Sequence, residues 1–273
     1  MCKFDMNTAQ YIPQDCVAPI IFRSESPDPY RFFSGTGFFV KFPPYDQVFF
    51  VTGKHCVLDQ RNEQIGFLEI KLNDLPSCNK AIPFKELLTT QISENESDFE
   101  DVVVYVLDKI NEEDFVKLTK RALPLPHQET TEFILQTLIE KSGKVRTIGF
   151  PSISKEMDYD KNQATIQPRG IVGTVTAITP DNRWITVESL NWKDGGLEGF
   201  SGSPILEFVP GTSGEIKAIP IGVLLTGGGG SVFRFLSINV VTNLIASYIV
   251  RSTETTANPS FNTDWRDKAA PAG

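Results

Sequence analysis

The sequence predicts an all-β protein made of two antiparallel β units in tandem and closed by a helix. Three observations carry that prediction. Short apolar or alternating runs recur along most of the chain, with glycine and proline in the gaps. Residues 111–144 interrupt them with a different character. Near the end, Ile238, Val241, Leu244, Ile245, Tyr248 and Ile249 fall on one helical face.

The first unit reads as strands at Val17–Phe22, Gly37–Phe42, Gln47–Thr52, Gly66–Leu72 and Val102–Leu107. Pro43-Pro44-Tyr45-Asp46 reads as a hairpin turn, and Ser93-Glu94-Asn95-Glu96-Ser97 as a polar loop. In the interruption, Phe133, Ile134, Leu138 and Ile139 recur at helical spacing, which predicts a connecting helix over Glu129–Lys141. Strands resume at Val145–Gly149, Gly170–Ile178, Trp184–Glu188, Ser203–Phe208, Ile219–Leu225 and Ser231–Leu236. Beyond Arg251 the chain turns polar, with Pro259 and Pro271, and reads as a flexible tail. The expected divisions are an N-terminal unit over 1–120, a connector over 121–144, a C-terminal unit with its helix over 145–250, and a tail over 251–273.

Composition narrows the function. The 273 residues are 40% hydrophobic and include 20 phenylalanines, enough for a substantial core. A formal charge of −8 argues against nucleic acid, since an acidic chain releases no counterions there. No basic stretch suits an anionic membrane, and no apolar run reaches the ~18 residues of a membrane span. The opening residues lack the charged-then-apolar layout of a secretion signal. The four cysteines, Cys2, Cys16, Cys56 and Cys78, fit no zinc pattern. A cytoplasmic protein without metal or cofactor is the expectation.

The chemistry is concentrated in Gly199-Phe200-Ser201-Gly202-Ser203-Pro204. A serine between glycines at a tight turn can be presented as a nucleophile. Gly199, lacking Cβ, can adopt angles that aim its own N–H and that of Ser201 into one space. Two converging backbone donors stabilise an oxyanion. A serine hydroxyl also needs a base. The chain offers only His55 and His127. His55 ends an apolar β-type run and can be held by its strands; His127 lies in a proline-punctuated linker and reads as a solvated loop residue. An acid must fix the imidazole's tautomer. Asp101, which opens the run Val102–Leu107, is preferred, with Asp98 as the fallback.

His55, Asp101 and Ser201 stand in the order of the chymotrypsin family. Ser34-Gly35-Thr36-Gly37-Phe38-Phe39-Val40, Thr52-Gly53-Lys54-His55-Cys56 and Gly199–Pro204 each resemble that family's segments. Ile148-Gly149-Phe150-Pro151 and Ile221-Gly222-Val223-Leu224 resemble the bacterial branch of trypsin-like peptidases. The resemblance spans about Ala18 to Val250. It implies two six-stranded antiparallel β-barrels with a C-terminal α-helix, His55 and Asp101 on one barrel and Ser201 on the other. It further implies a serine endopeptidase acting on a protein or peptide substrate. By its alignment, the pocket floor falls at Asp194 and Gly195, and Thr226 and Gly227 lie in the wall that pairs with substrate.

Departures from the family are also legible. Secreted relatives bridge the cysteine after the histidine to one in the preceding strand; alignment puts Ser34 there, so no bridge is expected. Phe200 stands where those relatives have the aspartate that pairs with a freed N-terminus, so maturation by that salt bridge is not expected; the chain is either constitutively competent or controlled by a partner that orders Trp192–Phe200. Leu225 stands where relatives often have serine. An esterase elbow of unrelated fold would need glycine where Ser203 stands, and its residue order differs. A catalytically silent peptide-binding module is the remaining alternative.

Overall fold

The computed structural model describes residues 14–23, 31–45, 47–59, 61–65, 67–70, 82–90, 101–158, 163–181, 183–192, 196–210, 216–227 and 231–257. The first unit contains β1 (Val17–Arg23), β2 (Arg31–Lys41), β3 (Val48–Gly53), β4 (Phe67–Glu69), β5 (Phe84–Thr89) and β6 (Val102–Leu107). Next come α1 (Glu112–Arg121), β7 (Leu123–Pro124) and α2 (Gln128–Glu140). The second unit holds β8 (Lys144–Gly149), β9 (Lys155–Asp158), β10 (Gln163–Ile166), β11 (Arg169–Ile178), β12 (Trp184–Ser189), β13 (Pro204–Pro210), β14 (Ile216–Gly227) and β15 (Val232–Ser237). The last element is α3 (Asn239–Ala257).

In the second unit, β11-β12-β15-β14-β13-β8 close into a six-stranded antiparallel barrel, β8 pairing with β11 to complete the ring. β9 and β10 form a separate hairpin. The first unit is an open sheet in the order β4-β1-β2-β3-β6-β5, with β7 added in parallel beside β2. The closed barrel expected there is not seen among the described residues. Among the described residues, β4 has three residues and pairs with β1 alone, while β5 pairs with β6 alone. The sheet's two ends meet at one backbone hydrogen bond, Ile82 N to Ile70 O (3.1 Å).

Three apolar clusters hold the molecule together. Ile20, Phe22, Phe39, Phe50, Val103 and Leu118 fill the first unit. Ile171, Ile185, Phe200, Ile205, Phe233 and Phe235 fill the barrel. A third cluster joins them: Phe38, Phe49, Val51 and Val104 pack with Leu206, Val223, Leu225 and Leu236, beneath Val241, Ile245 and Tyr248 of α3. Each buried large apolar side chain contributes about 1.5–3 kcal/mol, so this seam fixes the two units against each other.

Several elements depart from the sequence-based expectation. α1 falls inside the predicted N-terminal β unit. Asn111 caps it, its side chain accepting from Asp114 N (2.8 Å), and three acids occupy its first turn beside the positive end of the helix dipole. β5 and the β9–β10 hairpin are strands that no predicted run covers. α3 passes beyond 251 to Ala257, and within it Ser252 Oγ donates to Tyr248 O (2.9 Å) and Thr253 Oγ1 to Ile249 O (3.1 Å). The turn at Pro43-Pro44-Tyr45 forms as expected, Tyr45 N donating to Phe42 O (2.9 Å). No helix among the described residues is long and apolar enough to cross a membrane.

Candidate active site

Strand register brings His55 to Asp101. β3 runs antiparallel to β6, with Gly53 opposite Val102. The residue after Gly53 therefore meets the residue before Val102, and Lys54 N donates to Asp101 O (3.0 Å). A short 3-10 turn over Lys54–Cys56 then carries His55 across the Asp101 carboxylate. His55 N donates to Asp101 Oδ1 (2.9 Å), and Asp101 Oδ2 pairs with His55 Nδ1. With Nδ1 held by the carboxylate, Nε2 is the ring nitrogen left to act on another group. The Asp101 carboxylate, accepting from the ring, and then the neighbouring Cys56 side chain raise the imidazole pKa to about 10. The ring is thus protonated at neutral pH in this resting geometry. His55 remains 47% exposed and Asp101 28%.

The serine turn is set by its glycines. Gly199 and Gly202 have φ of 89° and 85°, angles that L side chains rarely adopt. A Cβ on Gly199 would collide with Phe150 O, and one on Gly202 with Thr36 O and Thr52 Oγ1. Phe200 is fully buried in the barrel core, edge-on to Trp192 with ring centroids 5.1 Å apart. Apolar packing anchors this position.

Four successive carbonyls of the turn are held. Glu198 O accepts from Ser152 N (2.9 Å), Gly199 O from Thr36 Oγ1 (2.7 Å), Phe200 O from Ser203 N (2.9 Å) and Ser201 O from Thr36 N (2.9 Å). A trans peptide points its N–H opposite to its carbonyl. Engaging Glu198 O and Phe200 O therefore turns the N–H groups of Gly199 and Ser201 the other way. Among the described residues, neither N–H donates to a backbone carbonyl.

The turn lies against the strand that leads to His55: a Cβ on Gly202 would sit 2.9 Å from Gly53 N. Ser201 Oγ, however, donates to Leu225 O (3.3 Å) and makes no hydrogen bond with His55. The acceptor arises from a register shift in β14, which steps from Leu224 opposite Phe235 to Thr226 opposite Arg234 and leaves Leu225 outside the ladder. Leu225 is buried, and its Cδ2 and His55 Cε1 crowd the same side of Gly53.

The structure thus gathers His55, Asp101, Gly199 and Ser201 around one seam. Thr226 and Gly227 follow directly, as the last two residues of β14. Asp194, Gly195 and the fallback Asp98 lie outside the described residues. His127 is exposed at the N-cap of α2. Alignment set Ser34 against Cys56, but Gly35 is the residue that faces it, since a Cβ there would lie 2.6 Å from the sulfur. Cys56 is a buried free thiol that donates to Ser201 O (3.5 Å). A cavity of about 860 Å³ between β5, α2 and α3 is lined by none of these residues.

Sequence reasoning named Thr36, Thr52 and Cys56 only within segments and gave them no part in supporting the serine turn, and it passed over Ser152. Only Thr36 carried a faint signal, as a polar residue inside an otherwise apolar strand. No model of a known protein family matches the chain, and no curated protein matches it.

Proposed function

We propose that this protein is a serine endopeptidase of the chymotrypsin type. The observation that carries the reading is the His55–Asp101 pair, bonded through Nδ1, beside a serine turn whose Gly199 and Ser201 N–H groups donate to no carbonyl among the described residues. The first sheet is read as the partner of the closed barrel, since its ends already meet at the Ile82–Ile70 bond. Ser201 Oγ rotates from Leu225 O toward His55 Nε2 and attacks a peptide carbonyl as neutral His55 takes its proton. Asp101 stabilises the imidazolium that forms. The N–H groups of Gly199 and Ser201 receive the oxyanion, each such donor lowering the barrier by roughly 3–4 kcal/mol. His55 then protonates the leaving amine, and water releases the acyl group by the reverse path.

An extended peptide bound along the seam, adjacent to Thr226 and Gly227, is the substrate form this reading requires. A regulatory protein partner is its proposed control. The second reading, a silent peptide-binding module, is favoured by one observation: the Ser201 hydroxyl is bonded to Leu225 O and not to His55. Cleavage of a peptide library by the wild type and by Ser201→Ala separates the two. Endopeptidase action predicts products with the wild type alone. Capture of uncut peptides by both proteins, with no products, favours the binding module.

A further inference from the structure

We infer that Thr36 is a positioning residue, one that shapes the oxyanion-binding face of the serine turn from the opposite β unit; this rests on the peptidase reading above. Thr36 lies on β2, 163 residues from Gly199, and is fully buried. Its hydroxyl accepts from Phe150 N (2.9 Å) and donates to Gly199 O (2.7 Å). The first bond decides the second: with a lone pair taken by the Phe150 N–H, the hydroxyl proton is directed at Gly199. A hydrogen bond fed by another is strengthened by it in a low-dielectric site. The Thr36 backbone does related work. Its N–H donates to Ser201 O (2.9 Å), and its carbonyl accepts from Thr52 Oγ1 (2.7 Å) on β3.

The consequence is local. Gly199 has no side chain and sits at φ 89°, so nothing of its own fixes the peptide planes on either side. Ser152 N holds the plane before it, through Glu198 O, and the Thr36 hydroxyl holds the plane after it. Glu198 O shares its peptide with the Gly199 N–H, so Ser152 sets that direction; the Thr36 hydroxyl, on Gly199 O, and the Thr36 amide, on Ser201 O, fix the two peptides that flank the one carrying the Ser201 N–H. Thr36 makes no hydrogen bond to His55 or Asp101. Its effect falls on stabilisation of the developing charge, not on the base.

The test is the rate at which a fluorophosphonate probe labels Ser201 across a pH series. Thr36→Val removes the hydroxyl at nearly constant volume. Its limiting labelling rate is expected to fall roughly 10- to 100-fold, the scale on which small misplacements of reacting groups act. The pH midpoint is expected to stay at the wild-type value, because the His55–Asp101 pair is untouched. Thr36→Ser restores the hydroxyl and is expected to label within about 3-fold of wild type, reinstating the Phe150–Gly199 relay. Should the valine variant not fold, Thr36→Ala against Thr36→Ser gives the same comparison. A labelled wild type with Thr36→Val equally fast, or Ser as slow as Ala, overturns this inference alone. A wild type carrying no label at Ser201 overturns the peptidase reading itself.

Discussion

The two sides of the seam are held by different means. The serine turn leads into a closed barrel, and hydrogen bonds to the Glu198, Gly199, Phe200 and Ser201 carbonyls fix it from three places in the chain. The imidazole belongs to an open sheet, and its ring direction rests on one carboxylate. The His55 side chain itself is 47% exposed. The nucleophile side is therefore positioned by architecture and the base side by a single ion pair. Substitutions on the first side ought to cost stability and activity together; those on the second ought to cost activity alone.

The sharpest way to break this contrast is Asp101→Asn. The amide can donate to Nδ1, selecting the wrong tautomer, and it removes the charge that steadies the imidazolium. Hydrolysis is expected to fall by about 10⁴-fold. Thermal stability is expected to change by less than about 1 kcal/mol, as for other partly exposed ion pairs. A variant that unfolds, with activity lost only in proportion, would show that Asp101 is structural. On the opposite side, Gly202→Ala forces a side chain into the left-handed region and against Thr36 O and Thr52 Oγ1. A loss of about 3 kcal/mol is expected, lowering Tm by roughly 6–12 °C, with labelling of Ser201 lost in parallel. Unchanged melting would mean that the turn is not under the constraint described.

How far the sequence carried this picture follows the same division. The strands of the barrel were legible because each is a β-type run, most of them bounded by glycine or proline. His55, Asp101 and Ser201 were legible because each sits at the edge of a strand or turn whose local chemistry names it. The turn's supports were not. Thr36 reaches Gly199 only through tertiary packing, and Ser152 and Leu225 act through backbone groups that carry no residue signature. The displacement of Cys56's neighbour from Ser34 to Gly35 is a one-residue register difference, which moves a side chain to the other face of a strand. α1 was missed although its signals were in the sequence: the Asn111 cap, three acids in the first turn, Lys120 and Arg121 in the last, and amphipathic spacing on a mostly charged helix. Closure of the first unit could not be judged from strand count, since β4 offers only three residues to its neighbour.

The central claim is that His55 activates Ser201 across the seam, and the pH dependence of Ser201 labelling by a fluorophosphonate tests it most directly. The Asp101 and Cys56 contacts lift His55 to about 10, so only its deprotonated form can take the serine proton. Labelling is therefore expected to be slow at neutral pH and to rise as pH climbs through His55's titration. His55→Gln is expected to be slower by roughly 10³-fold or more, without that titration. Equal labelling rates in the wild type and His55→Gln across the whole pH range would contradict the account.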